Sequence, residues 1–183
     1  MRLTYQGAAM TYRIEPIGIG PTNGTLTIYS APKAVLRHIE WTISSRLGVP
    51  TQINWKVQPL EPSTMWASIH WRASLGTASA LASELVGWHY LRFELHEAAA
   101  NGINGSLFMY VPDFGLFRGD VGAHGDLMIT EHQINSILRE EHREADIVTE
   151  LERILGKKWD EELECYRRAI ADGSEVHLDR LSV

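Results

Sequence analysis

Six side chains of the first half could do chemistry if a fold brought them together: Tyr29, His70, Arg72, Tyr90, Arg92 and Glu94. A histidine beside a tyrosine, with a carboxylate near, can move a proton at neutral pH. Two arginines can hold a carboxylate or a phosphate through their fixed N–H donors. A second group surrounds a glycine-spaced run: Gly119, Gly122 and Gly125 enclose Asp120, His124 and Asp126, with Tyr110 and Asp113 just before them. A histidine and aspartates on a short loop could transfer protons or hold a metal, although Asp and Gly are also the residues that turns use. His70 and His124 are therefore the acid–base candidates. Tyr29, Arg72, Tyr90, Arg92, Glu94, Asp113 and Asp126 are the candidate ligand contacts.

Other strings carry less. Gly18-Ile19-Gly20-Pro21-Thr22-Asn23 has some of the glycine spacing of a dinucleotide fingerprint. A strand pattern follows it, so no helix N-terminus is there to receive a pyrophosphate. Asp113-Phe114-Gly115 matches a kinase triplet, but no catalytic-loop pattern or glycine-rich nucleotide loop accompanies it, and it reads as a hairpin turn. None of the 8 histidines lies at the i, i+4 helical spacing of a zinc protease. His132 and His142 read as solvated and His89 as packed in the core. Cys165 is the only cysteine, so no intramolecular disulfide can form, and it reads as a bystander. No metal site and no cofactor is expected.

The elements that must position these residues follow from hydrophobic periodicity. Between Gly24 and Glu97 the order is strand, helix, strand, strand, helix, strand, a ferredoxin-like βαββαβ unit. The first strand, Thr25–Ser30, points Leu26 and Ile28 one way and Thr25, Thr27 and Tyr29 the other. Ser30 reads as the N-cap of a helix with Pro32 in its first turn, carrying Val35, Ile39, Ile43 and Leu47 on one stripe. The second strand, Thr51–Gln58, puts Ile53, Trp55 and Val57 inward and Asn54, Lys56 and Gln58 outward. The third, near 66–73, puts Ala67, Ile69 and Trp71 inward and Ser68, His70 and Arg72 outward. A short helix after Gly76 buries Ala78, Leu81, Ala82, Leu85 and Val86. The fourth strand, Trp88–His96, puts Leu91, Phe93 and Leu95 inward and Tyr90, Arg92, Glu94 and His96 outward. Two helices cover one sheet face. The opposite face is polar and carries all six of the first candidates.

The second half reads as a β-hairpin and a group of helices. Ser106–Val111 and Phe114–Arg118 flank the turn signal Pro112-Asp113. Thr130 and Gln133 have capping-box spacing, with Ile134, Ile137 and Leu138 facing inward. A second helix covers about 145–155 and stops at Gly156. A third aligns Trp159, Leu163, Tyr166 and Ile170, and the tail Glu175–Leu181 reads as an edge strand. The expected class is α+β: a ferredoxin-like half, 24–97, then a hairpin and C-terminal helices, 98–183, packed on the sheet as one domain. Residues 1–23 read as a flexible N-terminal arm, and sequence leaves open whether Met1 or Met10 is the start.

At 183 residues and 44% hydrophobic, the chain can bury a core without staples. No apolar run is long enough for a signal peptide or a membrane span, so a cytoplasmic location with no membrane partner is expected. Net charge is −6. Residues 1–97 hold 8 Lys/Arg against 6 Asp/Glu, +2, and residues 98–183 hold 9 against 17, −8. The acidity argues against nucleic acid as a partner.

The segments Ser30-Ala31-Pro32, His38-Ile39-Glu40-Trp41, Gly87-Trp88-His89, Pro112-Asp113-Phe114-Gly115, Gly122-Ala123-His124-Gly125-Asp126 and Leu155-Gly156-Lys157-Lys158-Trp159-Asp160 stand in this order from about Gly24 to near the C-terminus. In them the chain resembles an uncharacterised actinobacterial family classed as a domain of unknown function. The resemblance implies a bacterial cytoplasmic protein and transfers no activity and no site residues.

The leading expectation is a non-catalytic protein that binds a partner or a small ligand, as a homodimer. Trp41 and Trp66 fall off the core parity and suit a contact surface. The polar sheet face is expected to be covered by the acidic second half, with Arg72 and Arg92 paired to its carboxylates. The first alternative is a small-molecule enzyme using His70 or His124. The second is single-stranded RNA binding on an open sheet, with Tyr29 where such modules stack a base. Against it, Trp66-Ala67-Ser68-Ile69-His70-Trp71 stands where an aromatic-rich signature would be.

Overall fold

The computed structural model describes residues 20–139 and 144–180. Seven strands form one antiparallel sheet: β1 (Pro21–Pro32), β2 (Lys56–Val57), β3 (Thr64–Ser74), β4 (Arg92–Glu97), β5 (Gly105–Val111), β6 (Gly115–Val121) and β7 (Leu127–Met128). Their spatial order is β2-β3-β1-β4-β5-β6-β7. The first four strands have the ferredoxin-like arrangement, with β1 between β3 and β4. The hairpin β5–β6 continues the same sheet from β4 rather than forming a separate unit. Helices α1 (Leu36–Leu47) and α2 (Thr77–Leu85) cover one face, here the inner face. Helices α3 (Glu131–Arg139), α4 (Glu144–Ile154) and α5 (Lys157–Arg180) follow the sheet, and α5 crosses the outer face.

Parity sorts the core as the alternation requires. Leu26, Ile28, Ile69, Trp71, Phe93 and Leu95 meet Ile39, Ile43, Leu81 and Leu85 of the two helices. β5 is apolar on both sides: Phe108 and Tyr110 join this cluster, and Met109 and Val111 join a second one on the outer face with Tyr29, Phe117, Leu163 and Tyr166. Both faces of the sheet are therefore covered at its centre.

Several local expectations are corrected. Ser30 caps no helix. The residue before a proline favours extended backbone, β1 runs on to Pro32, and the Ser30 hydroxyl donates to Glu61 at 2.8 Å. The strand also starts at Pro21, inside the expected arm; residues 1–19 lie outside the described residues. The second strand shrinks to Lys56–Val57. Thr51 and Trp55 leave the sheet for α1, the Thr51 N–H donating to Ser44 Oγ at 3.0 Å and the Trp55 indole to Glu40 at 2.9 Å. Trp88–Leu91 is a turn, so Tyr90 precedes β4. His89 is exposed rather than packed in the core. The Thr130–Gln133 capping box forms in both directions, at 3.3 and 2.9 Å. Of the apolar residues behind it, only Ile137 is buried; Ile134 and Leu138 are exposed. The tail continues α5 as helix to Arg180 instead of returning as a strand.

Gln58 reverses its expected side, and Val57 with it, which is exposed rather than inward. Register between β1 and β3 shifts between Ile28 and Ala31. Gln58, fully buried, donates from Nε2 to the Tyr29 carbonyl at 2.7 Å and accepts from the Leu60 N–H at 3.1 Å. A buried carbonyl without a partner costs about 1–3 kcal/mol. Gln58→Leu is therefore expected to lower unfolding free energy by about that amount in urea titration, and a change near zero would show that water replaces the amide.

Glu97 has a similar role on the inner side. Its buried carboxylate accepts from the Gly76 and Ala78 N–H groups, at 2.9 and 3.2 Å, and so caps α2 from a neighbouring strand. Arg46 and Glu84 pair across α1 and α2.

Candidate functional site

The outer face is divided by α5. The helix is anchored at its start by the Trp159 indole, which donates to the Gly115 carbonyl at 2.9 Å. Leu163 then fills the space over Met109, Val111 and Phe117. Beyond it Tyr166 and Arg167 lie over β1 and β4, and Gly173 reaches Pro59. One end of the sheet face is thus closed and the other left open.

At the closed end a charge cluster holds the helix. Tyr29 OH donates to Glu94 Oε2 at 3.0 Å. Arg167 donates from Nε to the Tyr29 oxygen at 3.2 Å and from Nη2 to Glu94 Oε2 at 2.8 Å. Its Nη1 donates to Asp160 and Glu164 at 2.7 and 3.2 Å. Arg92 lies 3.6 Å from Glu162 and 5.1 Å over the Tyr166 ring. The second half therefore does cover this part of the face, but the central pair has the opposite sense to the one expected: α5 supplies the cation and the sheet supplies Glu94. Arg92 pairs as anticipated. Arg72 does not, being exposed and without an ion pair among the described residues.

Burial, and after it the Glu94 carboxylate, push the Tyr29 phenol well above its ordinary value. The neutral phenol is thus the form the fold favours. Its contribution to stability is complete below the unfolded pKa of about 10 and is lost as pH rises past it. The wild-type urea midpoint is expected to fall more steeply than that of Tyr29→Phe above about pH 10; equal slopes would contradict the assignment. Tyr29, only 6% exposed, is also unavailable to stack a base, which removes the residue on which the RNA alternative relied.

At the open end the register places side chains in rows. His70, Thr25, His96 and Leu107 are consecutive across β3, β1, β4 and β5. Ser68, Thr27, Glu94 and Met109 form the next row. His70 Nδ1 and Thr25 Oγ1 are 3.0 Å apart, as are Thr27 Oγ1 and Ser68 Oγ. His70, Ser68 and Arg72 are exposed. Beside this strip a cleft of about 410 Å³ opens between the sheet and the α4–α5 junction. Leu107, Met109, Leu127 and Leu155 line it, with Glu94, Lys157, Asp160 and Arg167 at its rim. The volume falls in the range of small-molecule sites. Its rim charges are already engaged: Glu94 and Asp160 share Arg167, and Lys157 pairs with Glu152.

The candidates thus separate into three places. Tyr29, Arg92 and Glu94 come together under α5. His70 and Arg72 share the open strip. Tyr90 stands apart, with its ring 6.4 Å from Trp88. The second constellation is divided, with Asp120, His124 and Asp126 at the end of β6 and Tyr110 and Asp113 away from them. Tyr110 is buried on the inner face, stacked 5.4 Å from Phe93. Asp113 is in the turn before β6, and His124 and Asp126 are exposed in the turn after it, at opposite ends of that strand. The Gly122–Asp126 segment is closed by its own backbone, with the Gly122 N–H donating to the Asp126 carbonyl at 2.9 Å. Among the described residues no group of three or more His, Cys, Asp or Glu is placed to hold a metal ion, and no helix is long and apolar enough to cross a membrane.

Sequence reasoning missed Arg167, His96 and the apolar floor. His96 had the correct outward parity. Leu107 and Met109 were visible as the second apolar side of a strand already apolar on the first. Nothing local marked Arg167 as a sheet fastening, because its sheet partners Tyr29 and Glu94 are far away along the chain. A second cleft, about 430 Å³ between β6 and α3–α4, is rimmed by Arg118, His132 and Arg153. Arg153 there is paired with Glu150, and the cleft shares nothing with the sheet-face strip.

A family model described as a protein of unknown function (DUF3145) matches residues 25–180. No curated protein and no solved structure matches the chain.

Proposed function

The chain belongs to that family, DUF3145, and from this premise we propose that it is a non-catalytic protein that binds a small ligand in the groove formed by the open strip and its apolar cleft. One observation carries the reading. The groups best suited to move protons, Tyr29 and Glu94, are engaged by Arg167 as a structural fastening, and an apolar-floored cleft lies directly beside them. His70, the remaining acid–base candidate of the face, has a threonine as its hydrogen-bond partner and no carboxylate among the described residues. In nucleophilic catalysis the base is held between a nucleophile and an orienting group, and among the described residues His70 hydrogen-bonds only Thr25. Pre-formed clefts of this size with few polar groups are the usual form of a binding site.

Soaking crystals with a fragment library tests the reading. Fragments are expected to collect over Leu107, Met109 and Leu127. Their absence from that groove, or their concentration in the cleft under α3 and α4, would overturn it.

The same reading places the protein in the cytoplasm of an actinobacterium and as a homodimer. The dimer draws support from Trp41, 72% exposed on α1 beside the exposed Val49. Light scattering on a sizing column is expected to give twice the chain mass, and a monomer would refute the dimer.

A further inference from the structure

The groove is chemically polarised along the sheet. Its β5 side is apolar, with Leu107 and Met109 as floor and Leu127 and Leu155 as wall. Toward β3 the face is polar, with His96 on β4, Thr25 on β1 and His70 and Arg72 on β3. From Leu107 to His70 is three strand spacings, about 14 Å. Carboxylates are present between the two ends, but Glu94 and Asp160 both accept hydrogen bonds from the Arg167 guanidinium on α5. Arg72 has no such match among the described residues. An acidic chain thus presents, at this one end, an exposed arginine and two imidazoles with no carboxylate ion-paired to them among the described residues.

We propose that the groove takes a small amphipathic anion, its apolar body lying over Leu107, Met109, Leu127 and Leu155 and its carboxylate or other single anionic group meeting His96, Thr25, His70 and Arg72. This rests on the groove being the binding site and adds the class of ligand. A cationic head would face Arg72 without a partner, and a neutral polar head would leave the guanidinium unused. The ligand is a free molecule rather than a lipid within a bilayer, because Leu127 and Leu155 wall the apolar end and a bilayer cannot enter a cleft of about 410 Å³. One threonine and two imidazoles can orient the head, and the apolar floor supplies affinity without selecting a length sharply.

Calorimetric titration with dodecanoate below its micellar concentration, against dodecyltrimethylammonium of equal chain length, tests the class. Dodecanoate is expected to bind about tenfold or more tightly than the cation, the difference a charge-assisted contact makes. Arg72→Ala should weaken dodecanoate severalfold and leave the cation unchanged. Leu107→Glu should abolish binding of both, with its melting temperature confirming that it folds. If both amphiphiles bind equally and Leu107→Glu abolishes both, the groove stands and the anionic class is wrong. If neither binds while fragments occupy the groove in crystals, the class is again wrong and the groove stands. If neither amphiphile nor fragment occupies it, the groove itself is refuted. Association of the protein with phosphatidylglycerol vesicles but not with free dodecanoate would overturn the free-molecule source.

Discussion

Leu163→Ala is expected to destabilise the protein by about 3–5 kcal/mol, the upper part of the range for leucine truncation in a core. Leu163 is fully buried and is the central contact of α5 with Met109, Val111 and Phe117. Little else can refill that space, because Trp159 and Tyr166 on either side are held by Gly115 and Arg92. The effect extends beyond stability. Arg167 lies one turn along the same helix, so loosening α5 also frees Glu94 and Tyr29 and removes a wall of the groove. Urea unfolding should therefore show a lower midpoint, and dodecanoate binding should be lost in the folded fraction. A loss below about 1 kcal/mol would mean that α5 is docked mainly by its charges.

Gly156→Ala should cost about 2–4 kcal/mol, combining a left-handed residue with crowding. Gly156 joins α4 to α5 at φ 68°, and a Cβ there would lie 2.7 Å from the Phe117 ring and 2.8 Å from Met109 Cε. Both neighbours belong to the outer cluster, and Met109 forms part of the groove floor. The substitution must push the helix junction off the sheet or turn Met109 into the cleft. Thermal unfolding would register the first and weaker dodecanoate binding the second. Unchanged stability and binding together would show that the junction does not sit this close in solution.

The first half was legible because alternation and helical stripes each repeat often enough to fix a face. β1, β3 and α2 bury the residues their parity assigns, and the strand order follows from the order of elements. Legibility failed where a residue's partner is distant. Gln58 has outward parity but meets a carbonyl at a bulge that no local pattern announces. Thr51–Trp55 alternates like a strand, yet Trp55 finds Glu40 on a helix instead of a neighbour in the sheet. The polar face was correctly expected to require a cover. Its actual fastening, Arg167 on Tyr29 and Glu94, spans more than 70 residues of chain and has no sequence signature. The loop with His124 looked like chemistry because turns and proton-transfer sites share Asp, His and Gly. The loop is a turn closed by its own backbone, with the Gly122 N–H on the Asp126 carbonyl, and Asp113 lies at the other end of β6.

The central claim is that α5 seals one end of the outer face and leaves the other as a binding groove. Methyl-labelled methionine offers the most direct test, since Met109 lines the groove while Met128 is exposed away from it. On titration with dodecanoate the Met109 methyl resonance is expected to move and saturate, with Met128 and Met65 unchanged. A fixed Met109 resonance, or movement confined to Met128, would contradict the account.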